Sequence, residues 1–326
     1  MNPVPRTSPG VVLRRTLCGL AALLQLFCAS CGEAPRESPA CPVVRLAQQQ
    51  WLSSRLNNAV AYILLAERLG CPVEIADIDE YAQFPALANG TVHACLEVWP
   101  SGHRDDLRAY VREQGLVEDG GPLGPVGRIG WFVPSYVLQD HPRLATWEGL
   151  KDPAAAALFR SSRSGSKGQF LAGDPTWVQY DADIIRNLGL EFRVVSAGSE
   201  EALLAALDQA YRERQPLLFY FWTPHAIFVQ YDLGEVALPP YTAECYARAP
   251  IGGVDCGYPP EALRKVFWSG LKEYSPQAHY LLRNFSYTNE DQISMMALVQ
   301  FQGMTPEEAA RHWVDANEAV WKAWLP

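Results

Sequence analysis

Four of the ten tryptophans sit where indoles are seldom spent on a core. Trp51 follows the apolar run at residues 43–48, Trp99 follows residues 92–98, Trp222 ends the run 217–222, and Trp177 comes directly after Asp174-Pro175-Thr176. Three of them lie at or near a proline, in Trp99-Pro100, Trp222-Thr223-Pro224 and Pro175-Thr176-Trp177. A residue before proline is held extended, so these rings would stand rigidly at loop starts. Rigid indole faces converging in a cleft are the physical means of holding a quaternary ammonium, which has no N–H to donate and is recognised by cation–π attraction and shape. At about 2 kcal/mol for each buried contact, three such faces supply ~6 of the ~8 kcal/mol that micromolar affinity requires.

The elements that would position these rings alternate strand and helix. The pattern predicts a strand at 43–48, a helix ending at Gly70 after an apolar-periodic stretch 58–69, a strand at 73–76, a helix near 81–89 and a strand at 92–98. After the breaker-rich stretch Gly120-Gly121-Pro122-Leu123-Gly124-Pro125, a new strand is expected at 128–133. Helices at 146–150 and 181–188, a strand at 191–195, a helix at 200–212 and a strand at 217–222 follow. The last part reads as helical, with segments at 260–271, 276–284, 289–300 and 305–324. No internal repeat is visible. This is an α/β architecture with a parallel sheet, and two such units with a helical return suggest two lobes around a cleft, where ligands bind beyond the carboxyl ends of strands.

Composition narrows the chemistry. The 326 residues carry 27 Lys plus Arg against 36 Asp plus Glu, a formal charge of −9, with no basic block; nucleic acid is not an expected partner. The six histidines are scattered and form no metal-ligand spacing with Cys or acids, so no metal and no cofactor is expected. No Gly-x-Ser-x-Gly elbow occurs, and Ser164-Gly165-Ser166-Lys167-Gly168 is neither a phosphate loop nor a dinucleotide fingerprint, so a secreted hydrolase is the weaker reading and no catalytic residue is assigned.

Residues 1–30 read as an export signal: Arg6, Arg14 and Arg15 precede an apolar run at 17–27 too short for a permanent span. The run ends in Cys28-Ala29-Ser30-Cys31-Gly32, which resembles a bacterial lipoprotein cleavage site with Cys31 as the lipidated residue and Cys28 where Leu is usual. Plain cleavage and release is the alternative. Residues 31–40 would then be a flexible tether, and the protein a periplasmic or extracytoplasmic one, held to the membrane by a lipid anchor. Export into an oxidising compartment makes cystine expected. Cys41-Pro42 and Cys71-Pro72 each open a strand of one strand–helix–strand unit, so they start at the same end of the sheet within bridging reach; Cys245 and Cys256 flank a Gly/Pro-containing loop and predict a local clip. Cys95 reads as a small buried hydrophobe.

Leu96-Glu97-Val98-Trp99-Pro100, Gly130-Trp131-Phe132-Val133-Pro134, and the run from Pro216 through Phe219-Tyr220-Phe221-Trp222-Thr223-Pro224-His225 resemble the glycine betaine/choline-binding proteins of ABC importers. So do Asn284-Phe285-Ser286-Tyr287-Thr288-Asn289-Glu290-Asp291-Gln292 and Trp313-Val314 through Trp324, and the similarity spans about residues 43–324. The resemblance implies a two-lobe periplasmic binding protein of type II-like fold with a hinge and an interlobe ligand cleft, here with lobe 1 at 41–140 plus 240–326 and lobe 2 at 141–239. It implies capture of glycine betaine or a related quaternary amine, an ABC permease as partner, and osmoprotectant uptake; a sensor of the same ligand without transport is the alternative. The aromatic box implied is Trp99, Trp177 and Trp222, with Trp51 an addition. A ligand carboxylate would be held by His103 and by the backbone N–H groups of Val178 and Gln179. Asp174-Pro175-Thr176-Trp177 also resembles a helix start, whose free N–H groups attract anions. His103 is equally readable as a solvated loop residue beside Arg104, Asp105 and Asp106, and His225 as a structural hydrogen bonder. Ile227 stands where the family often has Trp. Trp131 could wall the cleft but lies inside a strand, and Trp147, Trp268, Trp313, Trp321 and Trp324 read as packing.

Overall fold

The computed structural model describes residues 41–326, which form one compact unit. The export signal, the tether and Cys31 lie outside the described residues. Five strands come from the first half of this span and its crossing: β1 (Val44–Gln48), β2 (Val73–Asp77), β3 (Ala94–Val98), β4 (Val117–Pro134) and β5 (Gly168–Ala172). β6 (Phe192–Ser196), β7 (Phe219–Thr223), β8 (Leu233–Val236) and β9 (Pro260–Trp268) complete the sheet. Its order is β2-β1-β3-β9-β4-β7-β5-β6, with β8 also paired to β4.

The sheet has two parallel ends. β1 runs parallel to β2 and β3, and β5 parallel to β6 and β7, the pairing that βαβ crossovers enforce. Between them β9 and β4 pair antiparallel, β9 also meeting β3 and β4 meeting β7 and β8. The first part of β4 therefore belongs to one end of the sheet and Arg128–Phe132 to the other.

Two expected features change form here. The stretch Gly120–Pro125 does not end a strand: β4 continues through it, and register shifts against β9 at Asp119/Gly121 and Pro122/Val126 absorb the prolines and glycines as bulges. Residues 260–271 are not a helix. β9 buries Glu261, Leu263, Lys265 and Phe267 on alternate positions, so two of four inward side chains are charged, and that hides the two-residue period from an apolar pattern.

The helices that matter to the site are α1 (Leu52–Ile63), continued by a π-helical turn at Leu64–Arg68, α2 (Gln83–Ala88), α3 (Asp181–Asn187) and α4 (Glu200–Glu213). The C-terminal return consists of α5 (Pro276–Asn284), α6 (Asn289–Gln302) and α7 (Pro306–Ala316), with α6 and α7 packed on α1. Capping boxes at Thr288/Asp291 and Thr305/Glu308 fix the starts of α6 and α7. The expected single helix 305–324 is broken at Asn317, whose backbone leaves the helical region. Trp313, Trp321 and Trp324 are buried in the core, as their helical spacing suggested.

Both expected disulfides form. Cys41 and Cys71 have Cα atoms 4.8 Å apart beside the parallel register Val44↔Val73, and Cys245–Cys256 closes the local loop. Cys95 is free and fully buried, and burial pushes its thiol up to about 12, which removes it as a nucleophile.

Candidate functional site

The strand-end tryptophans converge. Trp51, Trp99, Trp177 and Trp222 line one cavity, beyond the carboxyl ends of β1, β3 and β5 and at that of β7. Trp177 stands edge-on to Trp51 at 6.0 Å and 88°, and to Trp222 at 5.3 Å and 89°. Perpendicular rings present faces and edges to a shared centre, the geometry of a cage and not of a stack. Tyr220 tilts against both Trp177 and Trp222, and with Tyr180 and Tyr258 it extends the aromatic wall.

Local sequence explains each ring's place. Trp51 is the extended residue that caps the start of α1. Trp99, before Pro100, lies over Gly127, where a β-carbon would come within 2.4 Å of the ring. Gly173 makes the same room for Trp177, again at 2.4 Å. Trp222 stacks on Phe221, centroids 4.4 Å apart at 8°. The segment Asp174–Trp177 is a turn, not the expected helix start: the Asp174 carboxylate accepts the Thr176 N–H at 2.7 Å, and α3 begins only at Asp181.

Behind the cage is a carboxylate. Glu97, fully buried in β3, accepts the indole N–H of Trp51 at 2.8 Å and of Trp99 at 3.2 Å. The Ser53 hydroxyl and the Asn57 amide donate to it as well, at 2.9 and 2.7 Å. Burial raises Glu97 to about 7, against these hydrogen bonds, which pull it down.

Facing the cage is a second carboxylate. Glu80 lines the cavity, and its Oε2 accepts the Val178 N–H at 2.7 Å while Oε1 lies 3.0 Å from His103 Nε2. His103 Nδ1 is 2.9 Å from Asp106. Burial by itself would lower His103, but its hydrogen bonds to Asp106 and Glu80 raise it to about 9, so the ring is cationic at neutral pH.

The residues expected to hold a ligand carboxylate are thus placed differently from one another. Val178 lines the cavity with its N–H given to Glu80, and His103 sits behind Glu80. Gln179 is outside the lining, its amide tied to the Asp174 carbonyl at 2.7 Å and to the Gly173 N–H at 3.2 Å. Two donors remain: the indole N–H groups of Trp177 and Trp222 are buried and have no acceptor among the described residues. A buried donor left so costs about 1–3 kcal/mol, which a ligand oxygen would recover.

Residues 42–316 match the family described as the substrate binding domain of ABC-type glycine betaine transport system. The chain belongs to that family. It is 31% identical to the trimethylamine N-oxide-binding protein of Pelagibacter ubique (strain HTCC1062) over 78% of this chain and 82% of that one. Among solved structures, the fold is shared with lactococcal OpuAC in its closed form with glycine betaine, at a TM-score of 0.69 and 23% identity, over 87% of this chain and all of that one. An ABC-transporter choline-binding protein in complex with choline gives a TM-score of 0.70 at 19% identity, over 88% and 93% of the two chains. The two-lobe periplasmic binding protein fold is therefore this chain's fold, and its family is one of extracytoplasmic solute binders.

Three acidic residues of this binding protein carried no signal in sequence. Glu97 lies inside the quoted Leu96-Glu97-Val98-Trp99-Pro100 motif, yet nothing in its spacing shows that it anchors two indoles. Glu80 reads as one more surface acid after β2. Glu200, at the start of α4, accepts the Leu52 N–H at 2.8 Å and holds His225 Nε2 at 2.9 Å, so it ties the residue after Trp51 to the segment after Trp222. His225 Nδ1 accepts the Ile227 N–H at 3.2 Å, which leaves the proton on Nε2 and gives this histidine its structural role. Trp131 is core: its N–H goes to buried Asp181 at 2.6 Å and its ring packs on Phe170 at 4.6 Å.

Proposed function

We propose that this chain captures a compact trimethylated amine outside the cytoplasm and delivers it to an ABC permease. The observation that carries this reading is the four-indole cage with the Glu97 carboxylate behind two of its rings. A permanent cation with no N–H gains from ring faces and from buried negative charge together. Trp51, Trp99, Trp177 and Trp222 are the ligand faces in this reading. Relatives and fold neighbours carry trimethylamine N-oxide, glycine betaine or choline in their descriptions.

The two ends of the sheet are the lobes in this reading, and Glu80 and Glu200 latch them across the cleft. Lobe 1 in this reading is residues 41–140 plus 240–326 and lobe 2 residues 141–239, and the pairing of Arg128–Pro134 with β7 and β8 supports a crossing between them near β4. Lipidation at Cys31 keeps the carrier beside its permease. The chain binds and does no chemistry: the acids nearest the ligand are committed to hydrogen bonds, and the Cys95 thiol is inert.

Titration calorimetry and tryptophan fluorescence with trimethylamine N-oxide, glycine betaine, choline and carnitine test this. Micromolar binding with a change in indole emission is the expected result. Silence with all four compounds would remove the reading.

A further inference from the structure

We propose that Glu80 fills the carboxylate side of this cavity with the protein's own anion, so that the chain selects a trimethylated amine carrying no carboxylate. The inference rests on the cage being an ammonium site and concerns what the rest of the ligand is.

The donors opposite the cage are the Val178 N–H and His103 Nε2, and Glu80 holds both, at 2.7 and 3.0 Å. Glu80 is only 6% exposed, and its two oxygens are gripped from segments far apart in the chain, one after β3 and one after β5. Moving it aside would strand a buried carboxylate and take from buried His103 one of its two anionic partners, the kind of broken ion pair that is strongly unfavourable. Leaving it in place would set a ligand carboxylate against a like charge in a water-poor cleft.

The other acids around the cavity have the same sign and do not relieve this. Glu97 is spent on Trp51 and Trp99, and Glu261 accepts the Ser101 N–H and hydroxyl at 2.5 and 2.7 Å. A choline-like ligand brings the positive centre and a hydroxyl that can donate to Glu80. An amine N-oxide brings an oxygen that can accept from the Trp177 and Trp222 N–H groups. Neither adds a second carboxylate.

The test compares Kd for choline, trimethylamine N-oxide and glycine betaine on the wild type, Glu80→Gln and Glu80→Ala. The wild type should bind one of the first two at least about tenfold more tightly than glycine betaine, and both variants should shift that ratio toward glycine betaine by about tenfold or more. Glu80→Gln keeps the side chain's shape and an acceptor for Val178, so it decides the matter should Glu80→Ala not fold. A wild type that prefers glycine betaine, or a ratio unchanged in the folded variants, overturns the role of Glu80 while leaving the cage reading intact. A wild type that binds no trimethylated compound overturns the cage reading, and this inference with it.

Discussion

The indole N–H of Trp51 donates to the Glu97 carboxylate at 2.8 Å, and Trp99 shares the same oxygen at 3.2 Å. An anion that accepts an indole proton pushes electron density onto the ring, and its charge also attracts a cation held against the ring's face. Because burial raises Glu97 to about 7, its charge changes near neutrality. A bound cation favours the ionised form, so affinity should rise as pH increases through about 7 and fall below it. Glu97→Gln should weaken binding about five- to tenfold at pH 8 and flatten that dependence. Calorimetric Kd values from about pH 5.5 to 8.5 check this, and a wild type whose affinity ignores pH would count against it.

Trp177 is the ring with two cage partners, so its loss opens the cage most. Trp177→Ala, Trp99→Ala and Trp222→Ala should each weaken binding by about tenfold or more, on the order of 1.4 kcal/mol. Trp313 is a contrast: it packs parallel to Trp324 at 5.9 Å and donates to Asp291 at 2.9 Å, away from the cavity. Trp313→Ala should cost about 3–5 kcal/mol of stability and leave affinity nearly unchanged. Melting curves beside binding isotherms separate the two classes, and the reverse pattern would reassign the cage.

The cage was legible in sequence for a physical reason. Trp51, Trp99 and Trp222 follow or end strands, Trp99 and Trp222 at or near a proline, and the carboxyl ends of parallel strands face one side, so ring convergence follows from topology. The Cys41–Cys71 bridge was legible on the same ground, since parallel strands begin together. What stayed hidden is what charged residues do when buried. Glu97, Glu80 and Glu200 look like solvated acids until partners distant in sequence, such as Trp51, Val178 and Leu52, are brought alongside by the fold. Inward-facing Glu261 and Lys265 concealed β9 for that reason too, and among the described residues the Lys265 ammonium donates to carbonyls at and just past the end of α5, including that of Arg283 at 2.9 Å. β4 was obscured differently, because bulges let a strand pass through glycines and prolines that would normally end it.

His103 gives a stability signature that the cage does not. Burial works against its charge, but Asp106 and Glu80 raise it to about 9 from an ordinary value of 6.5. A histidine whose folded value is raised contributes stability that is complete below about 6.5 and is lost as pH climbs through about 9. The melting temperature should therefore fall between about pH 6.5 and 9.5, and His103→Gln should lower it at pH 6 and reduce the slope. Differential scanning calorimetry across that range measures both, and a His103→Gln slope equal to that of the wild type would place the titrating group elsewhere.

Gly127 tests whether the cage is held by backbone as well as by carboxylates. A β-carbon there would approach Trp99 to 2.4 Å and the Thr223 carbonyl to 3.0 Å. The ring is the movable member of that pair, though it is tethered to Glu97 through its N–H. Gly127→Ala should therefore push Trp99 toward the cavity, stretch its hydrogen bond and narrow the space a trimethylammonium group needs. Affinity should fall by about tenfold or more, with a stability loss of about 1–3 kcal/mol from the overpacked contact. The double variant Gly127→Ala/Trp99→Phe removes much of the clash, so it should recover stability relative to Gly127→Ala alone. If instead Gly127→Ala binds and melts like the wild type, Trp99 has room to move and the cage is looser than its distances indicate.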